Sequence, residues 1–146
     1  MSSYNNLTVP CIVFGLIYAA LGLAEITSFW ISEGWLVVLT TGNIMMGAVL
    51  LLAGAVFLTG AKEVAAGREG EGYLIVGCLL GLFIGLVALL TMGANGAEHL
   101  LGNEDLGGWV PMDDLTLAIV MMFPTGVLLR YGLRAFRSAL GEEVKA

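Results

Sequence analysis

The stretch YLIVGCLLGLFIGLVALLTM, residues 73–92, decides the fold of this chain because it is twenty residues long and carries no charge. An α-helix rises about 1.5 Å per residue, so this stretch spans roughly the 30 Å of a bilayer's hydrocarbon core. Gly77, Gly81 and Gly85 recur at every fourth position and lie near one helix face. Because small residues at that spacing let helix backbones approach closely in lipid, the stretch predicts a membrane-spanning helix that packs against its neighbours.

The composition extends this prediction to the whole chain. Of the 146 residues, 58% are hydrophobic and only 12% are charged, whereas a soluble domain carries about 25% charged residues. The net charge of −6 argues against nucleic acid as a partner and against a polybasic membrane-surface role. We therefore expect a single transmembrane domain over residues 1–146, with the lipid bilayer as its surroundings.

Three further apolar runs are long enough to cross a bilayer, which makes the predicted fold an all-α, polytopic up-down bundle of four transmembrane helices. The linkers predicted between them are a tight turn at residues 32–34, a Gly-rich polar segment at 60–72 and a long acidic loop at 93–114. The predicted helices cover approximately residues 9–31, 35–59, 73–92 and 113–133.

The basic residues predict the orientation of the bundle. They all fall between the second and third helices or at and beyond the end of the fourth, which four spans place on one side. Basic residues accumulate in cytoplasmic segments, so both termini are expected in the cytoplasm of a cell-membrane protein. Trp30, Trp35 and Trp109 fall at the opposite interface, where indole rings favour the membrane boundary. The six basic residues are Lys62, Arg68, Arg130, Arg134, Arg137 and Lys145.

A faint internal repeat relates the second helix to the fourth. The segment GAVFLTGAKEVAAG, residues 54–67, aligns with GVLLRYGLRAFRSALG, residues 126–141. Such a repeat would make the fold two tandem helix hairpins in one orientation, as in transporters built from parallel repeats. The alternative is chance similarity between Gly-rich apolar helices, and the sequence leaves both readings open.

Glu25 is the sharpest candidate for a functional side chain. It lies six residues before Ile31, about 9 Å below the predicted outer interface. A charge at depth in a bilayer is costly and is expected to face protein or water. One reading is a carboxylate that binds a proton or a cation, and the other is an interfacial acid that reaches the lipid headgroups. The same helix face carries small residues expected to pack against a neighbour, together with two larger ones: Gly22, Tyr18, Gly15 and Cys11.

The second predicted helix places Thr40 and Asn43 at a comparable depth, on one face with Gly47 and Gly54. An Asn side chain in a membrane helix commonly bonds to a neighbouring helix and so holds two helices together. The alternative is that Glu25, Thr40 and Asn43 line one polar pocket that opens outward.

No pattern in the sequence predicts catalysis, a cofactor or a metal ion. His99 is the single histidine and lies beside Glu98, which is too few ligands for a metal site, and Cys11 and Cys78 stand inside apolar runs without metal-ligand spacing. Phosphate-binding loops and metalloprotease motifs are also missing from the sequence. We therefore expect a protein that is not an enzyme.

Two functions involve partners in the membrane, and a third, a structural or signalling membrane protein with no transported species, also remains open. The first is a channel or transporter component for a cation or a small polar solute, with Glu25 and Asn43 at its polar constriction. The second is a non-catalytic structural subunit of a larger membrane complex, such as a respiratory or energy-converting assembly. Both predict partners within the membrane, either further copies of this chain in a homo-oligomer or other membrane subunits.

Overall fold

The computed structural model describes residues 5–31, 40–68, 70–101, 110–112 and 114–143. All four helices of these described ranges are long and apolar enough to cross a membrane, which confirms the predicted all-α fold with four transmembrane helices. The helices are α1 Asn5–Trp30, α2 Ile44–Ala65, α3 Glu71–Leu100 and α4 Leu117–Glu143.

Helices α1 and α2 cross as antiparallel neighbours at a face of small residues. A Cβ atom added to Gly22 would lie 2.7 Å from the carbonyl oxygen of Gly47, and one added to Gly54 would lie 2.9 Å from that of Gly15. The two backbones are therefore in direct contact, which only glycine permits at these positions. This interface is the most extensive in the bundle, and we call the α1–α2 pair hairpin one.

Helix α3 packs antiparallel to α2 and to α4, and the α3–α4 pair is hairpin two. Gly77 faces the ring of Phe57 on α2, while Gly85 faces Ala118 and Met122 on α4. Helix α1 touches α4 at only a few positions, so the two hairpins meet mainly through α2 and α3. The five glycines predicted to pack helices all lie at such contacts: Gly15, Gly22, Gly77, Gly81 and Gly85.

The centre of the bundle is filled by side chains. The ring of Tyr18 stacks on that of Phe57 with 5.7 Å between ring centres, and Phe14 contacts the same ring from the side at 5.9 Å. Leu50 and Leu74 close the remaining space and are almost completely buried. The described helices therefore enclose a solid core.

The start of the second helix differs from the prediction. Residues 40–43 are not helical, and α2 begins at Ile44 rather than at residue 35; residues 35–39 lie outside the described ranges. Gly42 has φ +63°, which glycine adopts freely, and Asn43 caps the helix in an extended conformation. The prediction that Thr40 lies on one helix face with Asn43, Gly47 and Gly54 was therefore wrong.

The other helices are longer than predicted, because helices continue into polar sequence beyond the hydrocarbon core. Helix α1 begins four residues earlier than expected, and α4 ends at Glu143 instead of residue 133. Helix α3 runs over 71–100, so the first third of the loop predicted at 93–114 is helical. The tight turn predicted at 32–34 lies outside the described residues.

The two ends of the bundle differ in charge. One end, which we call the Trp30 end, holds the end of α1; the other, the Lys62 end, holds the end of α2. Every lysine and arginine that the structure describes is exposed and lies toward the Lys62 end: Lys62, Arg68, Arg130, Arg134 and Arg137. Trp35, Trp109 and Lys145 lie outside the described residues.

Candidate functional site

The carboxylate of Glu25 is buried in the last turns of α1, where only 4% of the residue is exposed. It accepts hydrogen bonds from the backbone N–H of Thr41 at 3.0 and 3.1 Å and from the Thr41 hydroxyl at 3.0 Å. A further bond comes from the backbone N–H of Asn43 at 3.3 Å. The acid thus ties the end of α1 to the segment that precedes α2.

The local sequence Thr-Thr-Gly-Asn, residues 40–43, explains why these donors converge. The left-handed conformation of Gly42 turns the chain beside Ser28 and Phe29 of α1, and its neighbours on both sides direct their N–H groups at Glu25. The side chain of Asn43 then accepts bonds from the N–H groups of residues 45 and 46, which begins the helix. The positive end of the α2 dipole therefore lies close to the carboxylate and stabilises its charge.

Thr40 joins the same region through a second chain of hydroxyl groups. Its hydroxyl donates to Ser28 Oγ at 2.8 Å, and the Ser28 hydroxyl donates to the backbone carbonyl of Glu25 at 3.0 Å. Thr40 therefore reaches Glu25 through Ser28 and the α1 backbone, while Thr41 contacts the carboxylate itself.

The structure brings the three residues predicted for a polar pocket, Glu25, Thr40 and Asn43, into one cluster. Asn43 takes part through its backbone, because its side chain caps α2. Thr41 and Ser28 also belong to the cluster although the sequence did not predict them: Thr41 donates to the Glu25 carboxylate, and Ser28 accepts from Thr40. A Gly-Asn pair before an apolar run is a recognisable helix-start signal, and it would have located Thr41 beside the break.

The charge of Glu25 is compensated without a basic side chain from the described part of the protein, since the described lysines and arginines lie toward the Lys62 end. Among the described residues, N–H and O–H groups and a helix dipole carry the compensation. Thr41, which donates to both carboxylate oxygens, is exposed and forms part of the layer over the acid. A carboxylate held in this way can take up a proton or a small cation if that layer moves.

A similar hydrogen bond joins the two helices of hairpin two, but here the donor lies on the first helix and the acceptor precedes the second. The side-chain amide of Asn95 donates to Asp114 Oδ2 at 2.8 Å. Asn95 lies five residues before the end of α3, as Glu25 lies five before the end of α1 (100 − 95 and 30 − 25). Asp114 lies three residues before α4, as Thr41 lies three before α2 (117 − 114 and 44 − 41). The two polar contacts therefore lie at equal distances from the helix ends. They do not follow the predicted repeat, whose alignment pairs residue 25 with residue 97.

A second polar contact lies in the middle of the bundle. The hydroxyls of Tyr18 and Thr125 are 2.7 Å apart, and both residues are almost completely buried. They join α1 to α4, two helices that otherwise meet at only a few positions. Gly81 lies directly against the Tyr18 hydroxyl and leaves room for it. The sequence placed Tyr18 on the inward face of α1 but gave no sign of its partner.

The Lys62 end holds a second buried acid, and the remaining candidates stay apart. Glu71 is 6% exposed at the start of α3. Cys11 and Cys78 are free and buried, and the described residues include no group of three acids, cysteines or histidines placed to hold a metal ion. His99 lines a shallow apolar hollow of about 600 Å³ on the last turns of α3, together with Gly93 and Ala97.

The four apolar helices and the polar closures between them define an integral membrane protein. Residues 2–133 match the family described as MJ0565 integral membrane domain, and the chain belongs to that family. Over 122 residues it is 31% identical to "Uncharacterized protein MJ0565" of Methanocaldococcus jannaschii, covering 80% of this chain and 82% of that protein. No solved structure gives a significant match. The family confirms the predicted membrane location.

Proposed function

We propose that the protein is a channel or transporter component for a cation or a small polar solute. The observation that carries this proposal is the Glu25 carboxylate, which is buried near the Trp30 end and accepts hydrogen bonds from N–H and O–H groups of the described residues. An ionisable residue within a membrane helix is rare and commonly marks a path for ions or protons. In this proposal, a cation or a proton binds the Glu25 carboxylate in place of the hydrogen-bond donors of Thr41.

The charge distribution supports the same proposal. Glu25, Glu98 and Asp114 lie toward the Trp30 end, whereas the described basic residues lie toward the other. An acidic mouth raises the local concentration of cations by its electrostatic field. A permeating cation would meet the acidic end first and Glu25 just beneath it.

The solid core places a condition on this function. Tyr18, Phe57, Leu50 and Leu74 fill the centre, so a pathway must open either between the two hairpins or between copies of the chain. Folds with parallel repeats commonly bind their substrate at the interface of the repeats and move one repeat against the other. The tandem hairpins of this chain fit that scheme.

The test is a flux assay on the purified protein in liposomes. We expect protein-dependent movement of protons, K⁺, Na⁺ or urea, and a loss of at least about tenfold in the Glu25→Gln variant. Glutamine keeps the size of the side chain and one acceptor for Thr41 but removes the charge. Glu63→Gln is the matched control, because Glu63 lies near the Lys62 end, pairs with Arg68 at 2.8 Å and should keep wild-type flux.

Equal flux in wild type and Glu25→Gln would remove Glu25 from the mechanism. Absence of flux for every species in the panel, with a folded wild-type protein, would contradict the transport proposal itself. The purification that precedes the assay gives further evidence, since a defined homo-oligomer of this chain supports a pathway that it forms alone.

A second candidate function is a non-catalytic subunit of a larger membrane complex. The hollow on α3 favours it, because its lining includes Gly93, Gly96 and Ala97, the small residues through which membrane helices pack together. On this reading the protein leaves the membrane only together with other chains, and the mass and subunit content of the native particle decide between the two functions. Retention of wild-type assembly by a Gly93→Leu variant would count against this reading.

The proposed pathway also has a direction, with the Lys62 end in the cytoplasm of a cell-membrane protein. The exposed basic residues at that end support it through the positive-inside rule. With both native cysteines replaced by alanine, we expect a membrane-impermeant maleimide to label Leu101→Cys on intact cells and Ala66→Cys only after lysis. Both positions are exposed. Labelling of both on intact cells, or of Ala66→Cys alone, would overturn this orientation.

A further inference from the structure

We propose that the hydroxyl pair of Tyr18 and Thr125 is the closed gate of the pathway, at the contact between the two hairpins. This inference rests on the proposed function and names the residues that a small polar solute or a hydrated proton must part. No part of the argument for Glu25 depends on this pair.

The position of the pair supports this gate. Tyr18 is the fourteenth of the 26 residues of α1, and Thr125 is the ninth of the 21 residues of the apolar span Leu117–Arg137. At 1.5 Å per residue, Tyr18 lies about 18 to 20 Å from each end of α1, and Thr125 lies about 12 Å from the start and about 18 Å from the end of its apolar span. The pair is therefore placed at mid-depth, where repeat-based transporters hold their substrate.

The pair also lies where α1 and α4 make few other contacts. The 2.7 Å bond between the two hydroxyls is a polar contact that joins these two helices. The stacked ring of Phe57 holds Tyr18 in place from α2, and Gly81 of α3 leaves space for its hydroxyl. All four helices thus converge on one hydrogen bond that can open without breaking a helix.

Buried acids lie on both sides of the hydroxyl pair along the length of the bundle. Glu25 lies seven residues along α1 from Tyr18, about 10 Å toward the Trp30 end, and Glu71 lies ten residues along α3 from Gly81, about 15 Å toward the Lys62 end. Both acids are buried. Each hydroxyl can donate and accept, so a polar solute or a protonated water can replace its partner when the hairpins part. A buried acid on each side suits a cationic or protonated species.

The test removes the hydroxyls one at a time in the liposome assay. Tyr18→Phe and Thr125→Val keep the shape of both side chains, so we expect the closed state to lose one hydrogen bond and little packing. Such bonds in membrane proteins are worth about 0.6–1.7 kcal/mol, which corresponds to an increase in flux of about three- to twentyfold. The double variant should match the single variants, because all three lose the same bond. Tyr73→Phe, at an exposed tyrosine near the Lys62 end, is the control.

A second readout does not depend on flux. Cys78 is completely buried one turn from Gly81, so its labelling by a small methanethiosulfonate reports how often the hairpins part. In a Cys11→Ala background we expect Tyr18→Phe to increase that labelling rate by the same factor as the flux. Increased labelling without flux in any variant would support an opening contact but contradict transport. Unchanged labelling and flux in both single variants, with flux still lost in Glu25→Gln, would overturn the gate and leave the proposed function standing.

Discussion

Gly22→Leu is expected to separate α1 from α2 and to leave no monodisperse protein after extraction in mild detergent. A Cβ atom at this position would lie 2.7 Å from the carbonyl oxygen of Gly47 and 2.8 Å from the backbone N of Leu51. Both are backbone atoms, so no side-chain rotation relieves the clash and the helices must move apart along their largest interface. Overpacking in a core lowers the free energy of unfolding by roughly 1–3 kcal/mol. We expect a clash with backbone atoms to cost at least the upper value of that range.

The same reasoning grades smaller substitutions. Gly22→Ala adds only the Cβ atom and should lower the thermal midpoint in detergent without abolishing the fold. Gly93→Ala is the matched control, because an added Cβ atom there meets no heavy atom of the described residues within 4 Å. A Gly22→Leu variant that purifies with wild-type size and midpoint would show that the close crossing of α1 and α2 is wrong.

Glu25→Ala carries the second-largest expected effect on stability. The substitution leaves the N–H groups of Thr41 and Asn43 without their acceptor, in hydrogen bonds that are partly buried. A hydrogen bond to a charged group contributes about 1.5–3 kcal/mol, so we expect a loss of about 2–3 kcal/mol in the free energy of unfolding, measured by titration with SDS. Glu25→Gln keeps one acceptor and should lose clearly less.

The control for this measurement is Glu98→Ala, which removes an exposed acid from α3 and should change the free energy of unfolding by less than about 0.5 kcal/mol. If Glu25→Ala were as stable as Glu98→Ala, the hydrogen bonds at the end of α1 would contribute nothing. The stability measurements also separate the role of Glu25 in folding from its role in flux, since loss of flux in a stable Glu25→Gln protein cannot be attributed to unfolding.

Hydropathy and glycine spacing predicted most of the fold. The twenty uncharged residues at 73–92 predict a membrane span. Gly77, Gly81 and Gly85 recur at every fourth residue, and in the structure they contact α2, α1 and α4 respectively. These predictions depend on local sequence alone. They succeed because a bilayer imposes one length and one composition on every span.

The predictions that were wrong or incomplete depend on other information. The apolar run from Trp35 hid the break at residues 40–43, because hydropathy does not register the backbone conformation that Gly42 allows. The partner of Tyr18 is 107 residues away, and no periodicity connects two such distant positions. Glu71 was taken as part of a polar linker, and its burial at the start of α3 follows only from the packing of the neighbouring helices.

The reversed polarity of the two closures has a consequence for how the sequence can change over evolution. In hairpin one the acid stands on the first helix and its donors precede the second, whereas Asn95 and Asp114 exchange those parts. A replacement of Thr41 removes only its hydroxyl from Glu25, because the backbone N–H groups of residues 41 and 43 still donate, whereas a replacement of Asn95 or Asp114 leaves its partner side chain without this bond. Positions 95 and 114 should therefore covary among relatives of this chain, while position 41 can change without a matching change at position 25.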